Sequence, residues 1–141
     1  MLLAEENLRP SLVLTLSERD SALIDWVRER VIVHGLKVTN IGQIPHSEIM
    51  VLYGQARALI FPSLSESFGL PLLEASEMSL PILAGELDFV RDVCEPAQSF
   101  DPNSEVSIAR AVKRFLGKGE QPLRPFGATE FLIAVMRDKK V

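Results

Sequence analysis

Several features that mark specialised classes of protein are scarce in this chain. It has one cysteine, Cys94, so no intrachain disulfide is expected, and with only two histidines it shows no metal-ligand cluster. No apolar run is long enough to span a bilayer, and acidic residues follow directly on the first four, so no signal peptide is expected. The net charge of −4 gives no reason to expect a nucleic acid partner. These absences favour a cytoplasmic protein.

The rest of the composition is that of an ordinary globular domain. Of its 141 residues, 47% are apolar and 24% are charged, proportions that are usual for a folded domain. A chain of this length corresponds to about one domain and can bury a substantial core.

Short apolar runs alternate with helical patterns along the chain. Strands are predicted over 11–16, 37–41, 58–61, 81–84 and 99–101. Helices are predicted over 17–34, 47–56, 71–78 and 86–93, and in a final segment that begins after Asn103 or Ser104. This alternation predicts an α/β fold with a mostly parallel, open sheet and helices on both faces.

Side-chain patterns add expectations about packing. Trp26 is expected in the core, and Gly35 is expected to end the helix that contains it. Arg91 could reach a phosphate, but a surface ion pair is the favoured interpretation. The last helix of the alternating pattern is expected to present one apolar face, formed by Val106, Ala109, Val112 and Phe115.

The stretch 61–75 is the strongest candidate for a functional site. An apolar strand ends near Phe61, a polar loop follows, and Pro71 suits the first turn of a helix. A loop at the carboxyl end of a parallel strand, feeding a helix N-terminus, is where ligands and anions bind in open α/β sheets. Glu66 and Glu74 could accept hydrogen bonds from vicinal hydroxyls. Equally, Glu74 could simply complement the helix N-terminus while Glu66 stays solvated.

The wording of this stretch resembles a known signature. Residues 66–74 are similar to the E-x7-E motif of retaining glycosyltransferases of the two-Rossmann-domain, B-type fold, known as glycosyl transferases group 1 or family four. The usual form is E-G-F-G-L-P-x-x-E, and Ser67 replaces its first glycine. Further segments fall in the family's order and spacing: 38–49, 53–56, 81–84 and 100–102. The resemblance covers residues 11–116.

The resemblance implies a reaction and roles for named residues. A hexosyl group would pass from a nucleoside diphosphate sugar to an acceptor hydroxyl with retention, without a metal or other cofactor. Glu66 would be the catalytic carboxylate at the sugar hydroxyls, and Glu74 would bind the ribose. Gln43 and Ile44 would meet the base. The donor sugar and diphosphate would be bound by Ser67, Phe68, Gly69 and Leu70.

Parts of the family pattern are not found in this chain. The first strand and helix of the Rossmann-like donor domain are not seen, nor is the acceptor-binding domain. We therefore expect a partial donor-binding domain over 1–116, followed by a loop and a C-terminal helix over 117–141. The acceptor domain would be a partner in cis or in trans. The missing strand is central in the family's sheet, so its unpaired neighbours favour a homodimer.

Two other functions stay open at this point. The chain could be a degenerate, non-catalytic interaction module, or half of a nucleotide-sugar epimerase. On the favoured interpretation the fragment is inactive alone, and the full-length enzyme could lie peripherally at a membrane. His46 is interpreted as a helix-start residue rather than a catalytic one.

Overall fold

The computed structural model describes residues 2–119, in which short helices and strands alternate. The strands are β1 (Leu12–Leu14), β2 (Val38–Asn40), β3 (Leu59–Phe61), β4 (Ile82–Gly85) and β5 (Gln98–Phe100). The α-helices are α1 (Leu2–Glu5), α2 (Ser21–His34), α3 (His46–Gln55), α4 (Leu70–Glu77), α5 (Asp88–Arg91) and α6 (Glu105–Phe115). A 3-10 turn, Glu18–Asp20, precedes α2. The predicted α/β class is confirmed.

The strands form two parallel sheets rather than one continuous sheet. One sheet pairs β1 with β2, and the other has the order β3-β4-β5. All three ladders are parallel. Within residues 2–119, no ladder joins β1 to β3, so the sheet does not close into a single layer there.

Hydrogen bonding shows which strand edges are open. The Leu12 N–H donates to Lys37 of the neighbouring strand segment (2.8 Å), and the Leu59 N–H donates to Pro81 (2.9 Å). Successive residues of a strand between two parallel neighbours bond to opposite sides. Val13 and Ile60 therefore direct their N–H and C=O groups towards the edges that have no strand neighbour among the described residues.

The core lies around the three-stranded sheet. Its fully buried large side chains are Leu72, Leu83 and Val90, from α4, β4 and α5. One apolar cluster joins β3 and β4 to α4, and a second joins β4 and β5 to α6. On α6 the buried face is centred on Ala111 and Val112, whereas the predicted member Val106 is 44% exposed.

The helix that contains the tryptophan is not part of this core. No residue of α2 is buried, and Trp26 is 51% exposed, so its predicted core position is wrong. Its ring is instead covered by the Arg30 guanidinium, 5.2 Å from the ring centroid, a cation–π contact that suits an exposed aromatic side chain. Gly35 ends the helix in the left-handed conformation, as predicted.

Two predictions fall at or beyond the end of the described segment. The loop and C-terminal helix over 117–141 lie almost entirely outside residues 2–119, and the boundary at 116 stays a prediction. Among the helices that are described, none combines the length and apolar character needed to cross a membrane.

Candidate functional site

The candidate site is built on the unit formed by β3, the following loop and α4. The strand ends at Phe61, and α4 begins at Leu70 with Pro71 in its first turn, as predicted. Gly69 caps the helix with φ +67 and ψ 38, in the left-handed region that glycine adopts readily. A Cβ built on Gly69 would lie 3.4 Å from Leu72 Cδ1. The glycine is thus required by its backbone conformation more than by crowding.

The loop before α4 is open to solvent. Glu66, Ser67, Phe68 and Leu70 are all exposed, and Phe68 leaves 67% of its surface uncovered. The backbone N–H groups of residues 67–69 donate no hydrogen bond to another described residue. Free N–H groups beside a helix N-terminus can receive an anion. The geometry therefore suits the predicted diphosphate contact, and the exposed Phe68 ring is available to a sugar or to another protein surface.

The loop carboxylate Glu66 has a neighbour that restrains it. The Ser63 hydroxyl lies 3.1 Å from Glu66 Oε1 and 3.0 Å from the carbonyl oxygen of Ser65. One hydroxyl proton can be donated to only one of these acceptors at a time. Glu66 is consequently held loosely and keeps acceptor capacity for hydroxyl groups.

The second carboxylate, Glu74, is held by a residue from another helix. His46 Nε2 lies 2.9 Å from Glu74 Oε1. The Glu74 side chain is 22% exposed and the His46 side chain 69% exposed. An ionised carboxylate only accepts hydrogen bonds, so Nε2 carries the proton and donates it. Glu74 makes no other side-chain hydrogen bond within residues 2–119.

The sequence alone does not indicate His46 as a site residue. It is 28 residues away from Glu74, and no local pattern indicates such a contact. Tyr53, on the same helix, is also affected by this carboxylate. Burial is the first cause that raises the pKa of its phenol, and the negative charge of Glu74 is the second. One signal in the sequence relates His46 to the site: it starts a helix that directly follows the predicted base-binding segment.

The predicted base-binding residues are only partly brought into a cleft. Gln43 lines a cleft of about 600 Å³ at the carboxyl ends of β1 and β2, whereas Ile44 is half-buried and does not line it. The remaining lining residues of the cleft are Leu16, Ser17, Glu18, Arg19, Ile24, Asn40, Ile41 and Gly42. Glu66 and Glu74 are not among them. The predicted site is therefore spread over two neighbouring loop regions of the sheets.

Arg91 is engaged in ion pairs, as the favoured interpretation predicted. Its guanidinium bonds to Glu86 and lies 3.3 Å from Asp88 Oδ1. The hydrogen bond from Arg91 is the main cause that lowers the pKa of Glu86. Among residues 2–119, no three His, Cys, Asp or Glu side chains form a group that could hold a metal ion.

Comparison with known proteins relates most of the chain to one family. The family model described as Glycosyl transferases group 1 matches residues 6–125. The serotype-specific mannosyltransferase WbdA of Escherichia coli is 37% identical over 78 residues, which are 55% of this chain and 10% of that protein. The O-antigen chain mannosyltransferase RfbU of Salmonella typhimurium is 31% identical over 78 residues, 55% of this chain and 22% of that protein.

A solved structure is similar in fold as well as sequence. Sucrose-phosphate synthase from Thermosynechococcus elongatus matches with a TM-score of 0.63 and 27% identity, over 75% of this chain and 28% of that chain. The chain thus spans between about a tenth and about a quarter of the length of these proteins.

Proposed function

The chain belongs to the glycosyl transferases group 1 family, and we propose that its described part binds the nucleoside diphosphate sugar donor of a retaining glycosyltransferase. The observation that carries the proposal is the pair of carboxylates on one loop-and-helix unit. Glu66 lies in the open loop after β3, and Glu74 lies on α4, partly buried and already oriented by His46. An acceptor on the loop before a helix N-terminus and a second acceptor on the helix itself match a ligand that has hydroxyl groups on either side of a diphosphate.

Each part of the donor has a proposed partner. Glu66 receives the sugar hydroxyls near the reacting carbon, and Glu74 receives the ribose hydroxyls. The loop from Ser67 to Leu70 meets the donor sugar and the diphosphate. Free N–H groups there can stabilise the charge that gathers on the departing diphosphate without rearranging during the reaction. Gln43 and Ile44, at the ends of the neighbouring sheet, are proposed to meet the base.

The matched relatives support the class of sugar and the wider process. Two are named as mannosyltransferases, and one of these acts on an O-antigen chain, which supports a hexosyl donor and a role in polysaccharide biosynthesis. The proposal further includes transfer to an acceptor hydroxyl with retention, without a metal, in a cytoplasmic enzyme that could associate with a membrane. An acceptor-binding domain, in cis or in trans, would complete the site.

We expect the isolated chain to bind a donor weakly and not to transfer the sugar. The loop that carries Glu66 and Phe68 is exposed, so water has free access to the reacting centre. Exclusion of water is one of the conditions that a closed active site provides. A transfer assay with the chain alone should therefore show no product above background.

Titration with nucleotides tests the donor-binding proposal. The purified chain is titrated with UDP, GDP and ADP, and with AMP as a monophosphate control, by calorimetry supported by ligand-observed NMR for weak binding. We expect one diphosphate to be preferred, and Glu74→Ala to weaken it about fivefold or more, since a charged hydrogen-bond acceptor is lost.

A matched variant separates site effects from general effects on α4. Glu77 is an exposed glutamate of the same helix, so Glu77→Ala should bind as the wild type does. A folded wild-type chain that binds none of the diphosphates would refute the proposal and favour the non-catalytic interaction module.

A further inference from the structure

The contact between α3 and α4 gives a role to a residue outside the predicted site. His46 is the first residue of α3, and its Nε2 atom donates to Glu74 Oε1 over 2.9 Å. We propose that His46 is a positioning residue: it holds the Glu74 carboxylate in the orientation that receives the two ribose hydroxyls. This inference rests on the donor-binding function proposed above.

The acceptor capacity of the carboxylate is compatible with this role. An ionised carboxylate has about four lone-pair positions on its two oxygens. The bond from His46 occupies one position on Oε1, so Oε2 and the remaining position on Oε1 stay available to a vicinal diol. The contact therefore restricts the rotation of the Glu74 side chain without using up the group that a ribose would need.

The surroundings of Glu74 favour a fixed arrangement at this point. The Glu74 side chain is mostly covered, whereas His46 is mostly exposed, so His46 approaches the carboxylate from the solvent side. Tyr53 lies seven residues further along α3, about two turns, on the same side of that helix. It packs against the core cluster that includes Leu72 and Ala75 of α4. The packing of Tyr53 against this core thus helps to hold α3, and with it the backbone of His46, in place.

The position of His46 in the chain links the contact with Glu74 to the segment proposed to meet the base. It follows Ile44 by two residues, so the segment proposed to meet the base leads directly into the contact with Glu74. Base and ribose are joined by one bond in every nucleotide. A hydrogen bond between the two segments that recognise them keeps their spacing constant before the ligand arrives, which lowers the ordering cost of binding.

The test compares nucleotides that differ in the ribose. The full chain is titrated with UDP, GDP and ADP and with the 2′-deoxy form of each, as wild type, His46→Ala, His46→Gln, Glu74→Ala and the double variant. For the preferred diphosphate, we expect His46→Ala to weaken binding about two- to fivefold, the range of a partly exposed hydrogen bond. His46→Gln, which keeps a donor at a similar reach, should restore most of the affinity.

Two comparisons distinguish positioning from a general structural role. The loss caused by His46→Ala should disappear in the Glu74→Ala background, and it should shrink for the 2′-deoxy nucleotide, which lacks a hydroxyl for the carboxylate to receive. His34→Ala, at the far end of α2, should bind as the wild type does and serves as the matched histidine control. Equal melting temperatures of all variants would exclude loss of folding.

The outcomes also separate this inference from the function on which it rests. Two results would overturn the positioning role alone. One is that His46→Ala leaves the affinity for the diphosphate unchanged, and the other is that His46→Ala lowers the affinity equally with and without Glu74→Ala. A folded wild-type chain that binds no diphosphate would overturn the donor site and the positioning role together.

Discussion

Tyr53 offers a probe of a single side chain, because the chain has no other tyrosine. Burial, and second the negative charge of Glu74, raise the pKa of its phenol above the ordinary value of 10.0. The stability that this neutral phenol contributes is fully present below the pKa of the unfolded chain. It is lost as the pH rises through the higher pKa of the folded chain. We expect the free energy of unfolding to fall on this account as the pH rises above about 10, the ordinary pKa of a phenol.

Absorbance titration of the phenolate measures the pKa directly, and Tyr53→Phe removes this part of the pH dependence. Glu74→Gln should lower the pKa only part of the way, since burial, the larger cause, remains. A phenol that titrates at the ordinary value in the folded wild type would show that Tyr53 is not packed against the core as described.

Single residues reveal only part of the site in advance. The sequence assigns Gly69 to the expected donor-binding loop, although not its left-handed backbone conformation, with φ +67°. The chemistry of the pair Glu66 and Glu74 was likewise visible as a pattern eight residues apart. The bond from His46 to Glu74 was not visible, because a contact over 28 residues depends on how two helices pack.

Among the elements, α4 and α2 differ sharply in how firmly they are packed. Leu72 of α4 is 0% exposed, whereas Leu23 of α2 is 47% exposed. We expect Leu72→Ala to lower the free energy of unfolding by about 2–5 kcal/mol through lost contacts and a cavity, and Leu23→Ala by less than about 1 kcal/mol. Chemical denaturation of the two variants measures both free energies of unfolding. Both variants carry the substitution of leucine by alanine in an α-helix, so they differ mainly in how deeply the side chain is buried. Similar losses in both would mean that α2 is packed in solution.

The same contrast explains which parts of the element pattern were predictable. Apolar periodicity predicts the strand and helix positions, with ends shifted by up to four residues, and Pro71 and Ser104 mark helix starts as expected. The exposure of α2 was not predictable in this way. The pattern of Leu23, Val27 and Val31 indicates that the helix has one apolar face, but it does not indicate whether another element covers that face. The pattern therefore predicts a core position for Trp26, and that prediction is wrong, since the side chain is 51% exposed.

At the scale of the whole molecule, the division of the sheet combines sequence and packing. The alternating pattern predicts parallel strands, but strand order follows from the crossovers and not from any one segment. The described residues then leave β1 and β3 without a shared partner, each with an open edge. The carboxyl ends of the two sheets carry different parts of the candidate site: Gln43 follows β2 and Glu66 follows β3. Whatever sets the spacing between the sheets therefore also sets the spacing within the site.

Open strand edges are templates for pairing with a second chain, so we predict that the chain forms dimers as its concentration rises. The backbone of Val13 points to the open edge of β1, whereas the Leu12 N–H donates to Lys37 inside the existing sheet. Val13→Pro removes a donor only from the open edge of β1, and it should weaken the dimers seen in sedimentation velocity while the fold is kept. Leu12→Pro should instead lower stability, because it breaks a bond between β1 and the β2 segment. A wild-type chain that remains monomeric at every concentration would contradict the prediction, since the open edges of the described strands would then be tolerated in water without a partner.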